Sequence, residues 1–146
     1  MKNYKLGIIG HGYVGESQSF AFSPSFDVRV FDKDSLKSTH SLHEVLDSDF
    51  IFVCVPTPMK KDGSQDLSFV ESFFKTAKDG PIYIIKSTII PGTTNLLIEK
   101  FKNLKIIFSP EFLTERTAKL DILTQTRIIL GGDKVLTGKV LSLIHI

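Results

Sequence analysis

The chain has 146 residues, 42% of them hydrophobic and 23% charged, which predicts one globular unit with its own core and excludes disorder, collagen and coiled coil. Lys and Arg number 18 against 16 Asp and Glu, and a net charge of +2 is too weak a field to recruit nucleic acid or an anionic membrane. No apolar run reaches the roughly 18 residues of a membrane span, and the apolar stretch in MKNYKLGIIGHG is too short for a signal peptide, so a cytoplasmic setting is expected.

Six short apolar runs, β-branched or aromatic and bounded by Gly, Pro, Asp or Ser, follow one another along the chain: residues 5–10, 27–31, 49–55, 82–86, 104–108 and 127–130. Most are apolar at consecutive positions, as expected of parallel strands covered on both faces. Segments with helical spacing separate them. Residues 13–22 follow a glycine turn, and residues 41–46 open with Ser41 and carry Glu44 three positions on, a capping-box pattern. Asp66 is placed to cap a helix through Lys78, a further helix runs over 93–101, and a weaker one over 115–123. This alternation predicts an α/β fold: a doubly wound parallel sheet of six strands in the order 3-2-1-4-5-6, helices on both faces, with a ligand beyond the carboxyl ends of the strands.

The motifs fall at those carboxyl ends. Gly10-His11-Gly12-Tyr13-Val14-Gly15 is a G-x-G-x-x-G at a strand-to-helix handover: Gly10 for the tight turn, Gly12 for close approach of a pyrophosphate, Gly15 for helix-on-sheet packing. Asp32 ends the second run 17 residues after Gly15, where a carboxylate accepts hydrogen bonds from an adenosine ribose and repels a 2'-phosphate. That favours NAD over NADP, although Lys33 and Lys37 nearby attract phosphate. The remaining motifs are ambiguous taken singly. Val55-Pro56-Thr57-Pro58 reads as a loop over the crevice or as a strand stop. Ser87 and Thr88 read as contacts to a nicotinamide, a sugar or a water, or as turn residues. Glu111 and Glu115 read as acid, base or ligand, or as solvated glutamates. Cys54, the lone cysteine, reads as a core residue, and His11, His40, His43 and His145 lack metal-ligand spacing, so no metal is expected.

Taken together, GIIGHGYVG, Asp32, VPTP, KST with PGTT, SPEFL with a second glutamate, and RIILGG resemble in order and spacing the N-terminal domain of the UDP-glucose/GDP-mannose dehydrogenases. The resemblance covers residues 5–132 and implies a Rossmann-type domain. Members of that family oxidise the C6 alcohol of a nucleotide-linked sugar to a carboxylate with two NAD, through a cysteine-bound thiohemiacetal and thioester. By resemblance, Gly10, His11, Gly12, Tyr13, Val14, Gly15, Asp32 and Lys37 bind NAD, Val55, Pro56 and Thr57 border it, and Ser87 and Thr88 hold NAD and a water. Glu111 is implied in acid/base and thioester-hydrolysis chemistry together with Thr88, and Glu115 stands near the nicotinamide. Phe112, Leu113 and Thr114 are implied, with both glutamates, in binding the UDP-sugar.

The departures are Arg116, where relatives carry glycine, a polar Glu16 to Ser19 in the first helix, and the absence of the family's later cysteine motif, central helix and second domain. Residues 1–132 are therefore expected to form the NAD-binding domain and residues 133–146 a truncated tail that starts as a helix and stops in an apolar run. The reading is a fragment inactive alone, homodimeric in the full-length protein. The alternatives are a β-hydroxyacid-type dehydrogenase domain and a non-catalytic NAD-binding module.

Overall fold

A computed structural model describes residues 4–145. In chain order the elements are β1 (Lys5–Ile9), α1 (Tyr13–Phe22), β2 (Asp27–Phe31), α2 (Leu42–Leu46), β3 (Phe50–Val53), α3 (Ser68–Thr76), β4 (Ile82–Ile85), α4 (Thr93–Lys100), β5 (Lys105–Phe108), α5 (Ala118–Thr124) and α6 (Lys134–Ile144). The expected α/β architecture is present, with all strand pairs parallel, but the sheet has five strands in the order β2-β1-β3-β4-β5 rather than six in the order 3-2-1-4-5-6.

Two local causes account for the difference. The outer edge of β2, where the third strand was expected, is occupied by residues 38–40. Thr39 and His40 donate their backbone N–H groups to the Val30 carbonyl at 2.9 and 3.1 Å, and the Thr39 hydroxyl accepts the Val30 N–H at 3.0 Å. A loop thus satisfies the edge that would otherwise template another strand, and the chain crosses to the far side of β1. Helix α2 makes that short crossover, lying so close on β1 that a Cβ on Gly7 would stand 2.8 Å from Val45 Cγ1. Ser41 and Glu44 form the expected capping box at its start. The sixth run, 127–130, is not a strand: one antiparallel bridge joins Gly131 to Phe108, and the chain then turns away at Gly132 with φ +137°.

Apolar residues on consecutive strand positions feed two core layers, as a sheet covered on both faces requires. Ile51, Val53, Tyr83 and Ile85 pack with α3 residues Val70, Phe73 and Phe74 on one side. Phe50, Phe52, Ile82 and Ile84 pack with Val140 and Leu143 of α6 on the other. Residues 133–145 are accordingly a packed helix capped by the Asp133 carboxylate, and its apolar end is turned inward at Leu143; Ile146 lies outside the described residues. Among the described residues no helix is long and apolar enough to cross a membrane.

The register positions the site. Phe31, Ile9, Val53, Ile85 and Phe108 pair in a single row across all five strands. The residues that follow them, Asp32, Gly10, Cys54, Lys86 and Ser109, therefore emerge together at one edge of the sheet.

Candidate functional site: a dinucleotide crevice at the carboxyl edge of the sheet

The three glycines of the turn are fixed by different constraints. Gly10 adopts φ +88°, donates its N–H to the Phe31 carbonyl at 2.9 Å, and would put a Cβ 2.6 Å from the Cys54 carbonyl oxygen. Gly15 leaves no room at all, since a Cβ there would fall 2.0 Å from the Gly10 carbonyl oxygen. Gly12 answers to neither demand: its φ is −78° and a Cβ on it would meet nothing within 4 Å. The fold does not require glycine at 12, which leaves close approach of a ligand as the physical reason for it. Gly12 is also the N-cap of α1 and offers no side chain to it, so the first N–H groups of that helix are free to receive an anion.

Asp32 closes the turn from the other side. Its Oδ2 accepts the His11 N–H at 2.7 Å and its Oδ1 accepts the Asp34 N–H at 2.8 Å. Desolvation pushes its pKa up, but these two backbone hydrogen bonds and the nearby Lys37 outweigh it and hold the carboxyl below its usual range. Each carboxylate oxygen keeps a lone pair for a ribose hydroxyl, so Asp32 both shapes the glycine turn and presents charge to the crevice.

The crevice has a volume of about 370 Å³. Gly10, Gly12, Tyr13, Val14, Asp32 and Lys37 line one side, and Val55, Pro56, Thr57, Ser87, Thr88 and Glu111 the other. A mainly apolar pocket of about 270 Å³ adjoins it past Asp32 and Pro56, walled by Leu42, Phe69 and Phe73. The Lys33 ammonium stands 5.6 Å over the Phe69 ring. This second space has the apolar lining that a flat aromatic group requires. The residues present thus suit a dinucleotide. Leu42 and Phe69 are not recognisable from sequence as pocket residues, because their spacing is that of ordinary helix faces.

On the far wall hydroxyls are partly spent on the fold. Ser87 donates to the Val55 carbonyl at 2.7 Å and so ties the end of β4 to that of β3. The Thr88 carbonyl accepts from Thr57 Oγ1 at 2.6 Å and from Gln65 Nε2 at 2.7 Å, while its own hydroxyl makes no hydrogen bond among the described residues. Gln65 also accepts the Ile90 N–H, at 3.2 Å, so one amide pins the loop after β4 from both directions. Glu111 accepts the Leu113 N–H on Oε2 at 2.6 Å.

Several candidates stand elsewhere. His11 and Gly15 lie within the turn rather than on the crevice surface, and the His11 Nε2 is buried without a partner among the described residues. Glu115 faces a neighbouring cleft with Glu16 and Arg116. Tyr13 bridges the two regions: desolvation first, then the charges of Glu111 and Glu115, push its hydroxyl pKa up. Phe112 is exposed beneath the Arg127 guanidinium, 5.1 Å from its ring, Leu113 is half-buried, and the Thr114 N–H is taken by Asp121 at 2.8 Å. Conversely, Cys54 and Lys86 reach the crevice although no site role was read for them. Burial pushes the Cys54 thiol up to about 12, so it is protonated at neutral pH and is no nucleophile.

Residues 29–145 match the UDP-glucose/GDP-mannose dehydrogenase family, NAD binding domain. A UDP-glucose 6-dehydrogenase of Streptococcus pneumoniae is 33% identical over an alignment covering 88% of this chain and 41% of that protein. The alignment runs to 162 positions, more than this chain's 146 residues, so the relative has segments that this chain lacks. A UDP-glucose dehydrogenase structure from Pyrobaculum islandicum superposes with a TM-score of 0.83 at 25% identity, over 97% of this chain and 44% of that one. A GDP-mannose dehydrogenase from Pseudomonas aeruginosa gives 0.80 at 25% identity, over 96% and 43%. The chain thus spans less than half the length of these relatives. It belongs to the UDP-glucose/GDP-mannose dehydrogenase family and carries that family's NAD binding domain.

Proposed function

We propose that the chain supplies the cofactor-binding part of a cytoplasmic nucleotide-sugar 6-dehydrogenase that oxidises the C6 alcohol of a UDP-sugar, UDP-glucose or a UDP-N-acetylhexosamine, to the carboxylate. The observation that carries the reading is the single row of strand ends, which brings the glycine turn, Asp32, Thr88 and Glu111 around one crevice. NAD, when bound, supplies the hydride acceptor, and two are consumed per sugar because alcohol to carboxylate is a four-electron oxidation.

This chain's residues have separate tasks in that reaction. The backbone at Gly12 and the free N–H groups opening α1 hold the diphosphate. Asp32 accepts the ribose hydroxyls. Glu111 keeps Oε1 without a hydrogen bond among the described residues and takes a proton during oxidation or from the attacking water. The free Thr88 hydroxyl orients that water, its backbone held still by Thr57 and Gln65. The thiol that carries the sugar carbon is not Cys54, given its protonated state. It comes from polypeptide beyond these residues, which also supplies most of the UDP-sugar contacts and the dimer interface, so the chain alone is inactive.

Calorimetry tests the reading. NAD is expected to bind with one site per chain and UDP-glucose added alone to give no heat. Joined to the rest of its polypeptide, the chain is expected to form NADH from a UDP-sugar, and Glu111→Gln to suppress that. Absence of heat with millimolar NAD would remove the basis for the proposal.

A further inference from the structure

A separate cavity of about 160 Å³ lies on the other face of the sheet, enclosed by α1, α6 and residues 122–129. Lys86 lines both this cavity and the cofactor crevice, and so forms part of the wall between them. It is only 9% exposed. Its ammonium donates to Ser109 Oγ at 3.3 Å and to the Pro110 carbonyl at 3.2 Å, two long bonds to neutral acceptors. Among the described residues no carboxylate lies within 4.0 Å of it. The Glu111 carboxylate acts on it only from beyond ion-pair distance, on the crevice side; a buried cation without a direct ion-pair partner is costly, and an ammonium has three protons to donate.

A second group points the same way. Gln18 sits in the polar stretch of α1, is 4% exposed, lines the same cavity, and its side-chain amide makes no hydrogen bond among the described residues. Arg127 stands at the rim, and no Asp or Glu lines the space. A water takes about 30 Å³ in the liquid, so the volume holds about five waters, or one tetrahedral oxyanion with a water or two.

We propose that this cavity is a second ligand site, taking a small oxyanion of the phosphate type on the Lys86 ammonium and the Gln18 amide, with Arg127 at its entrance. Burial draws the Lys86 pKa down, and an anion beside it works against that shift. Because Lys86 also holds the Pro110 carbonyl next to Glu111, occupancy of the cavity is felt at the catalytic side of the crevice. The site is distinct from the dinucleotide site: Gln18 and Arg127 belong to the cavity and not to the crevice.

The test is a titration of the 146-residue chain with inorganic phosphate at constant ionic strength, read by calorimetry and by the NMR resonances of the Gln18 side-chain amide. The expected result is saturation at one phosphate per chain, with the amide resonances moving and affinity at least tenfold weaker in Gln18→Leu and Arg127→Ala. Arg127 is exposed, so Arg127→Ala keeps the test decisive should Gln18→Leu fail to fold. Glycerol phosphate in a parallel arm tells a terminal phosphate group, which binds as well as the free ion, from the free ion itself. Equal phosphate affinity in the wild type and both variants, or no saturation, overturns the proposal. So does full displacement of phosphate by NAD, which would put the ion in the crevice. NAD binding is read in separate titrations, so the two sites stand or fall independently.

Discussion

The two walls of the crevice are built by different means. Around β1 and β2 the chain is held mainly by its own backbone, Gly10 N–H on the Phe31 carbonyl and Gly15 against the Gly10 carbonyl, with one side chain, the Asp32 carboxylate, accepting the His11 N–H. Around β4 and β5 it is held by side chains reaching across irregular segments, as Lys86 does to Pro110, Ser87 to Val55 and Gln65 to Thr88. Where backbone geometry makes the wall, as at Gly10 and Gly15, it dictates the residue type and tolerates almost no change. A wall made of side-chain contacts gives way one contact at a time, and its members are free to carry chemistry as well.

That contrast is breakable at named positions. The largest effect is expected at Gly15→Ala, where the new methyl has no space beside the Gly10 carbonyl; overpacking of this kind costs about 3 kcal/mol or more, and thermal unfolding should show it. Retention of the wild-type melting temperature would mean that α1 slides freely on β1. Next comes Asp32→Asn, which keeps the shape but removes the charge and should weaken NAD binding by about 1–3 kcal/mol by titration calorimetry. The sign of its pH dependence follows from a carboxyl pKa held low in the fold. Its contribution is complete above the ordinary carboxylate range and fades as pH falls through the depressed value, so the turn should loosen in acid and not in base.

On the other wall, Lys86→Met replaces a buried ammonium that has two long hydrogen bonds and no direct ion pair with an apolar chain of similar length, and stability should change by less than about 1 kcal/mol in chemical denaturation. A large loss would mean that Lys86 is a structural member of the same rank as Gly15. The smallest effect is expected away from both walls, at Glu71→Gln. The exposed pair with Lys100, at 2.6 Å, is worth no more than about 0.5 kcal/mol and should be weaker still in high salt.

Legibility in the sequence follows the same division. The glycine turn, Asp32 and the capping box at Ser41 were readable because each residue type answers a backbone demand. The strand order was not, since nothing in Ser38-Thr39-His40 announces that hydroxyls and a short loop will occupy the edge of β2. Nor was the fate of residues 127–130, whose β-branched run has a strand's composition but is unpaired among the described residues, the bridge to β5 being made by Gly131 just beyond it. Lys86 was visible inside its motif yet unassigned, because burial against two cavities is a property of the packed sheet. Glu115 and Phe112 looked like neighbours of Glu111 in sequence, and the turn after Glu111 carries them to other surfaces.

The central claim, that the open face of the glycine turn exists for a dinucleotide, is tested most directly by titrating NAD into the wild type and Gly12→Val side by side. The fold leaves the space beyond Gly12 open, so the variant should unfold at the wild-type temperature while its affinity for NAD falls at least a hundredfold. A variant that keeps both its stability and its NAD affinity would contradict the account.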